Sequence, residues 1–131
     1  MKYVPLALLP LLLACSPRLA EGTFVVEPEQ PLGLTAGNHL RATRKAPDFF
    51  TFVRVLEDSR CPRGVQCIQA GRAVVAVEVL RDGILTSETV TVDGNAIATD
   101  LGPLQLTELL PYPDAAVDDP APYRLTVRLL E

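Results

Sequence analysis

The chain has 131 residues, 48% of them hydrophobic, with 12 Lys and Arg against 16 Asp and Glu and a formal net charge of −4. That length supports one domain with a single core. The mildly acidic balance leaves no basic stripe for nucleic acid or for anionic lipid head groups.

Met1 to Ala14 reads MKYVPLALLPLLLA: one basic residue, Lys2, then an apolar run broken only by Pro5 and Pro10. This is the layout of a signal peptide, and it is too short for the roughly twenty helical residues that span a bilayer. Leu12-Leu13-Ala14-Cys15 resembles the lipobox of bacterial lipoproteins. The resemblance implies cleavage before Cys15, whose thiol then becomes a diacylglyceryl thioether. Two or more acyl chains anchor a protein stably, where one does so marginally. Ser16, standing where an acidic residue would retain a lipoprotein, implies sorting to an outer membrane if the cell has one, and otherwise the outer face of the cytoplasmic membrane. Cleavage leaves 117 of the 131 residues, with 11 Lys and Arg against 16 Asp and Glu, or −5. Membrane attachment then rests on the lipid. Residues 15–22 form the lipidated terminus and a short breaker-rich tether, and residues 23–131 the domain.

From Thr23 onward, β-rich runs alternate with turn residues about every ten positions, the pattern of a sandwich or barrel. Thr23 to Glu27 begins the series. Pro28 and Pro31 interrupt it, and Leu32 to Thr35 and His39 to Thr43 flank a Gly37-Asn38 turn. Phe49 to Asp58 is the strongest strand, with Phe49, Thr51, Val53 and Val55 on one face and Phe50, Phe52, Arg54 and Leu56 on the other. Both faces are largely apolar, which predicts a central strand.

EDSRCPRGVQC, Glu57 to Cys67, follows. Once Cys15 is lipidated, Cys61 and Cys67 are an even pair in an oxidising compartment, which predicts a disulfide between them. A redox dithiol is more typically CxxC at a helix N-terminus, and zinc or copper would need further soft ligands where the mature chain offers one histidine, His39. Asp58 or Ser59 can accept N–H bonds at the start of the turn, and Pro62 and Gly64 suit a type I turn. Gly71 can permit a close backbone approach.

Gly71 to Arg81 places Ala73, Val75, Val77 and Val79 on one unbroken apolar face. Asp82-Gly83 is a two-residue hairpin signal, leading into the Thr-rich, half-exposed strand Ile84 to Val92. Asp93-Gly94-Asn95 turns the chain again, and Leu104 to Leu110 and Tyr123 to Leu130 are the last two strands. Seven or eight strands predict a small all-β sandwich, immunoglobulin-like or related. Pro111 to Pro122 is a loop whose prolines forbid both helix and ladder pairing, with Tyr112 held rigidly between two of them. Asp114, Asp118 and Asp119 lack the spacing of a calcium loop and read as a solvated acidic segment.

The catalytic inventory is poor. His39 is the one imidazole, in a predicted strand with no acid or nucleophile placed beside it, and the chain has no phosphate-binding glycine loop or dinucleotide fingerprint. No enzyme activity, cofactor or metal is expected. Asp58-Ser59-Arg60-Cys61-Pro62, then Cys67-Ile68-Gln69-Ala70-Gly71 and a valine-rich strand, resembles a widespread family of small, uncharacterised bacterial envelope proteins and lipoproteins. Their signature is DSRCP, a few residues, then C-x-W-A-G, and they are similar also in a late Pro-Tyr-Pro segment, here Pro111 to Pro113, and a final strand starting near a tyrosine, here Tyr123. Gln69 stands where the family carries tryptophan.

The expected function is a lipid-anchored binding or interaction module of the cell envelope, with an envelope protein or glycan as partner and Arg60, Arg63, Gln69 and Tyr112 as candidate contact residues on the stapled and proline-rich loops. The alternative is a protease inhibitor presenting Arg60 or Arg63 on the disulfide-constrained loop.

Overall fold

Period-2 alternation of β-branched residues builds a strand that buries one face, and the valine run shows it most plainly: Ala73, Val75, Val77 and Val79 are all buried. Around it the computed structural model, which describes residues 22–118 and 120–131, shows nine strands and no helix among those residues. The predicted signal peptide (1–14), the lipidation site Cys15, nearly all of the tether and Asp119 lie outside the described residues. No described helix is long and apolar enough to cross a membrane.

The strands are β1 (Thr23–Val25), β2 (Leu32–Thr35), β3 (His39–Arg41), β4 (Asp48–Asp58), β5 (Ala73–Arg81), β6 (Ile84–Thr91), β7 (Ala96–Thr99), β8 (Gly102–Leu110) and β9 (Arg124–Leu129). They form a five-stranded sheet in the order β1-β3-β4-β5-β6 and a four-stranded sheet in the order β2-β9-β8-β7. Phe50, Phe52, Val75, Val77 and Val79 of the first meet Leu34, Leu104, Leu106, Leu125 and Val127 of the second in one buried cluster. The layout is thus a β-sandwich with a shared core. Each sheet is largely a meander of consecutive strands, unlike the ABED/CFG arrangement of immunoglobulin domains, so the sandwich is of a related kind.

Three details differ from the expected strand series. β7 is an additional strand, pairing antiparallel with β8 from Ala96↔Gln105 to Thr99↔Gly102. The Gly37-Asn38 turn does not join a hairpin: β2 pairs with β9 and β3 with β4, so the chain changes sheets there. The crossing is fixed by Gly37 N–H to the Phe52 carbonyl (2.7 Å), and His39 N–H donates to the carbonyl of Gly22 (2.7 Å), which seats the incoming chain beside β3. Third, β4 is central as expected, yet its faces do not hold their alternation. Phe49, Phe50, Thr51 and Phe52 are buried, whereas Val53 and Leu56 are exposed. The register shifts between Phe52 and Arg54 and again between Val55 and Glu57. Bulges of this kind bend and twist a strand, and beyond them only Val55 still packs against the core while β4 carries Asp58 to the ends of β8 and β9.

The Asp82-Gly83 hairpin forms as predicted. Both residues have positive φ, 53° and 75°, the conformation of a type I′ turn, which matches the twist of the flanking strands. Asp100 holds the turn from the other sheet, accepting N–H bonds from Asp82 (2.5 Å) and Gly83 (3.1 Å).

Candidate functional site

Where β4 ends, the chain leaves the sandwich for residues 59–72 before β5 begins. An irregular excursion of that length needs ties, and the sequence provides several kinds. Cys61 and Cys67 are bonded to each other, with Cα atoms 5.9 Å apart. Ser59 N–H donates to the Arg72 carbonyl (2.8 Å), and the Ser59 hydroxyl oxygen accepts from Arg72 N–H (3.1 Å), closing the base of the corner. Glu57 and Arg72 form an exposed ion pair across the same base, at 3.3 Å. The hydrogen bond from Ser59 and the nearby Arg72 guanidinium hold the Glu57 carboxyl below its ordinary range. Gly71 passes so close to Ser59 that any Cβ there would overlap the Ser59 carbonyl.

The tie that sequence reasoning missed is Arg60. Expected as an exposed contact residue, it is turned inward, with its side chain only 14% exposed. Nε and Nη2 donate to the two Asp58 carboxylate oxygens, each at 2.7 Å, in a bidentate fork. Nη1 donates to the Leu109 carbonyl (2.8 Å) and Nη2 also to that of Pro111 (3.2 Å). The guanidinium carbon stands 4.6 Å from the centroid of the Tyr112 ring. Asp58, 6% exposed in its side chain, accepts a further bond from the Tyr123 hydroxyl (3.0 Å). Burial pushes the Asp58 carboxyl up, but the bonds from Arg60 and Tyr123 outweigh it and hold the group below the usual carboxylate range. Burial and the Asp58 carboxylate together push the Tyr123 phenol up. Arg60 therefore joins β4, the end of β8 and the proline-rich loop in one network. Nothing in the spacing of DSRCP distinguishes it from Arg63. The one legible signal was Asp58 two residues away, a partner for either arginine.

Arg63 occupies the opposite situation. Its main chain bridges to the proline-rich loop, N–H to the Pro113 carbonyl (2.9 Å) and its own carbonyl accepting from Ala115 N–H (3.1 Å). Its side chain is exposed, with the guanidinium 5.5 Å from the Tyr112 ring centroid. The ring of Tyr112, 37% exposed, is thus in cation–π range of both an internal arginine and an external one. Gln69 is exposed on the stapled loop, as are Val65 and Ile68. His39 packs in the first sheet, its Nδ1 2.8 Å from the buried Thr51 hydroxyl and 3.8 Å from an Asp48 oxygen. It lies away from the corner.

The two loops enclose an open cleft of about 750 Å³ between them, with Arg63, Tyr112, Pro113, Val117, Tyr123 and Arg124 among its walls. Asp58 reaches its floor already paired with Arg60. Asp114 spends one carboxylate oxygen on the Ala116 N–H (2.9 Å), shaping its own turn. Among the described residues, neither Arg63 nor Arg124 has an ion-pair partner, and no group of three His, Cys, Asp or Glu could hold a metal ion. The arrangement offers a rigid, partly apolar hollow with aromatic and cationic walls, which is equipment for binding. No protein-family model, curated protein or solved structure matches the chain.

Proposed function

We propose that the chain is a lipid-anchored cell-envelope protein that binds a partner, an envelope protein or glycan, in the cleft between the stapled loop and the proline-rich loop. The observation that carries this reading is the division of labour in the corner. Arg60, the disulfide and the Arg63 main chain fix the loops, and the Arg63 and Tyr112 side chains are left facing the opening. A site prepared in this way loses little conformational entropy when a ligand arrives. The exposed Val65, inside the disulfide-closed ring, and Ile68, just after it, add apolar surface of the kind partners cover. The lipobox at Cys15 and the resemblance of DSRCP…C-x-x-A-G to an envelope family support the location.

The inhibitor reading has no comparable support. A protease cleft reads the main chain around an arginine as well as its side chain, and here Arg60 is internal while both main-chain groups of Arg63 are paired within the molecule.

The test is photo-cross-linking in intact envelopes from a photoreactive residue at position 117, on the exposed cleft wall, against a lipobox-only control protein. The expected result is a discrete cross-linked species from the wild-type background that is lost with Tyr112→Ala. Equal labelling of the control would sink the proposal. The anchor is checked separately, since Cys15→Ala should move the protein from the membrane to the soluble fraction.

A further inference from the structure

A sheet ends where its last strand has no neighbour, leaving a row of main-chain N–H and C=O groups ready to pair with another chain. Among the described residues the sandwich has four such ends: β1, β2, β6 and β7. β1, β2 and β7 are 3, 4 and 4 residues long, short enough to offer little to a passing strand. β6 is 8 residues long. It pairs with β5 along its whole length without a register shift, and it contains no proline, lysine or arginine. The usual protections of an edge, namely shortness, bulges, proline and unpaired charge, are all missing there.

The second sheet does not cover it. β7 faces β5 instead, through Arg81 Nε to the Ala98 carbonyl (3.0 Å) and Asp100 N–H to the Leu80 carbonyl (3.2 Å). Ile84 and Leu85 point to opposite faces of the sheet, yet they are 64% and 54% exposed. The Ile84 end of β6 therefore projects past the second sheet with both faces open, while Val90 near its other end packs against the core. Its one charged side chain, Glu88, is turned back to Arg81 in a two-pronged ion pair.

The occupant of such an edge is an extended strand, and the sequence of β6 selects a second copy of itself. A two-fold axis that relates antiparallel strands stands perpendicular to the sheet, so each residue faces one on the same side of the pleat. Centring the axis on Ser87 sets Ser87 opposite Ser87, Thr86 opposite Glu88, Leu85 opposite Thr89 and Ile84 opposite Val90. Centring it on Glu88 sets two carboxylates face to face, which is destabilising. Centring it on Thr86 pairs only residues 84–88 and sets Ile84 against Glu88. The Ser87 register joins nearly the whole strand, matches apolar with apolar at its ends and opposes no like charges. We propose that the chain forms a two-fold dimer by antiparallel β6–β6 pairing centred on Ser87, which merges the two five-stranded sheets into one.

Sedimentation of the full chain in detergent, with and without Ser87→Lys, tests the dimer. One strand on each side makes a small interface, so association at roughly micromolar to sub-millimolar concentration is expected. Ser87→Lys sets two ammonium groups opposite each other on an exposed strand. It should weaken association by about tenfold or more while leaving thermal unfolding of the monomer unchanged. Register is read by cysteine cross-linking: opposite residues have Cα atoms about 4.5–5.5 Å apart, within disulfide range. Ser87→Cys should therefore give a covalent dimer where Thr86→Cys does not. A wild-type chain that stays monomeric at about 0.5 mM, a dimer indifferent to Ser87→Lys, or equal cross-linking from residues 86 and 87 would each overturn the proposal. So would a monomer whose β6 edge is protected from hydrogen exchange only by an added extended peptide, which would make strand addition by another chain the better account.

Discussion

The stapled corner and the tip of the β5–β6 hairpin both reach beyond the shared core, and they are held by opposite means. The corner has almost no regular pairing of its own and depends on side chains: a disulfide, a buried ion pair and a phenol hydroxyl. The hairpin has an uninterrupted ladder and a type I′ turn, and its tip is held from the other sheet by the Asp100 carboxylate and two bonds to main-chain carbonyls, Arg81 to Ala98 and Asp100 N–H to Leu80. Irregular backbone must find partners for its polar groups one at a time, so the corner is rich in specific ties and can hold a shaped hollow. Regular backbone satisfies itself on one side and leaves the other side unanswered. The corner thus suits a ligand of defined shape, and the hairpin edge suits a strand.

If that contrast is right, the corner should be fragile to single side-chain changes and the hairpin should not. Arg60→Ala is the most damaging change expected, because it strands the nearly buried Asp58 carboxylate. Breaking a pair of this kind costs about 3–5 kcal/mol, measured as a shift in the urea midpoint. Gly71→Ala should cost about 3 kcal/mol, since the Ser59 carbonyl must move to make room; a stability equal to wild type would mean that the close approach is not maintained in solution. Cys61→Ser with Cys67→Ser should cost about 2 kcal/mol in the chain-entropy account of a short ring. On the hairpin, Asp100→Ala releases two N–H bonds at an exposed turn and should cost only about 1 kcal/mol. Arg63→Ala should leave stability within about 0.5 kcal/mol of wild type, as surface changes do, while reducing cross-linking from the cleft.

Acid adds a gradual version of the same test. The folded state holds the Asp58 carboxyl below its ordinary value, so its contribution is fully present above the unfolded carboxylate pKa and is lost as pH falls below the usual carboxylate range. Wild type should lose stability more steeply than Asp58→Asn in that window, as followed by denaturant titrations at a series of acid pH values. Parallel curves would mean that Asp58 titrates alike in folded and unfolded chains.

The sequence made legible those features that depend on neighbours in the chain. The valine alternation of β5, the Asp82-Gly83 turn and the Cys61–Cys67 bond all read directly, because each is set by local geometry or by a count of partners. β7 escaped notice because Ala96–Thr99 is short, weakly apolar and hemmed in by turn residues; its pairing with β8 supplies what its composition does not. The break in the β4 alternation was hidden because Phe49, Phe50 and Phe52 fit either face equally well, and only the bulges decide which half is buried. The inward turn of Arg60 was out of reach for a different reason. Two of its partners, the carbonyls of Leu109 and Pro111, lie about fifty residues on. Carbonyls carry no residue-type signature that a sequence could display.

The seating of Gly22 against His39 bears on where such a domain could work. That entry point adjoins the change of sheets at residues 36–38, and Ala36 lines the same small hollow as Pro122 and Tyr123, so the chain enters at the end where the cleft lies. Under the lipid-anchored reading, the segment from Cys15 to Gly22 reaches at most about 25 Å when fully extended. The cleft would then sweep a thin shell above the bilayer. Partners held in the same membrane would meet it at an effective concentration on the order of millimolar, so that even modest intrinsic affinity would keep the site occupied.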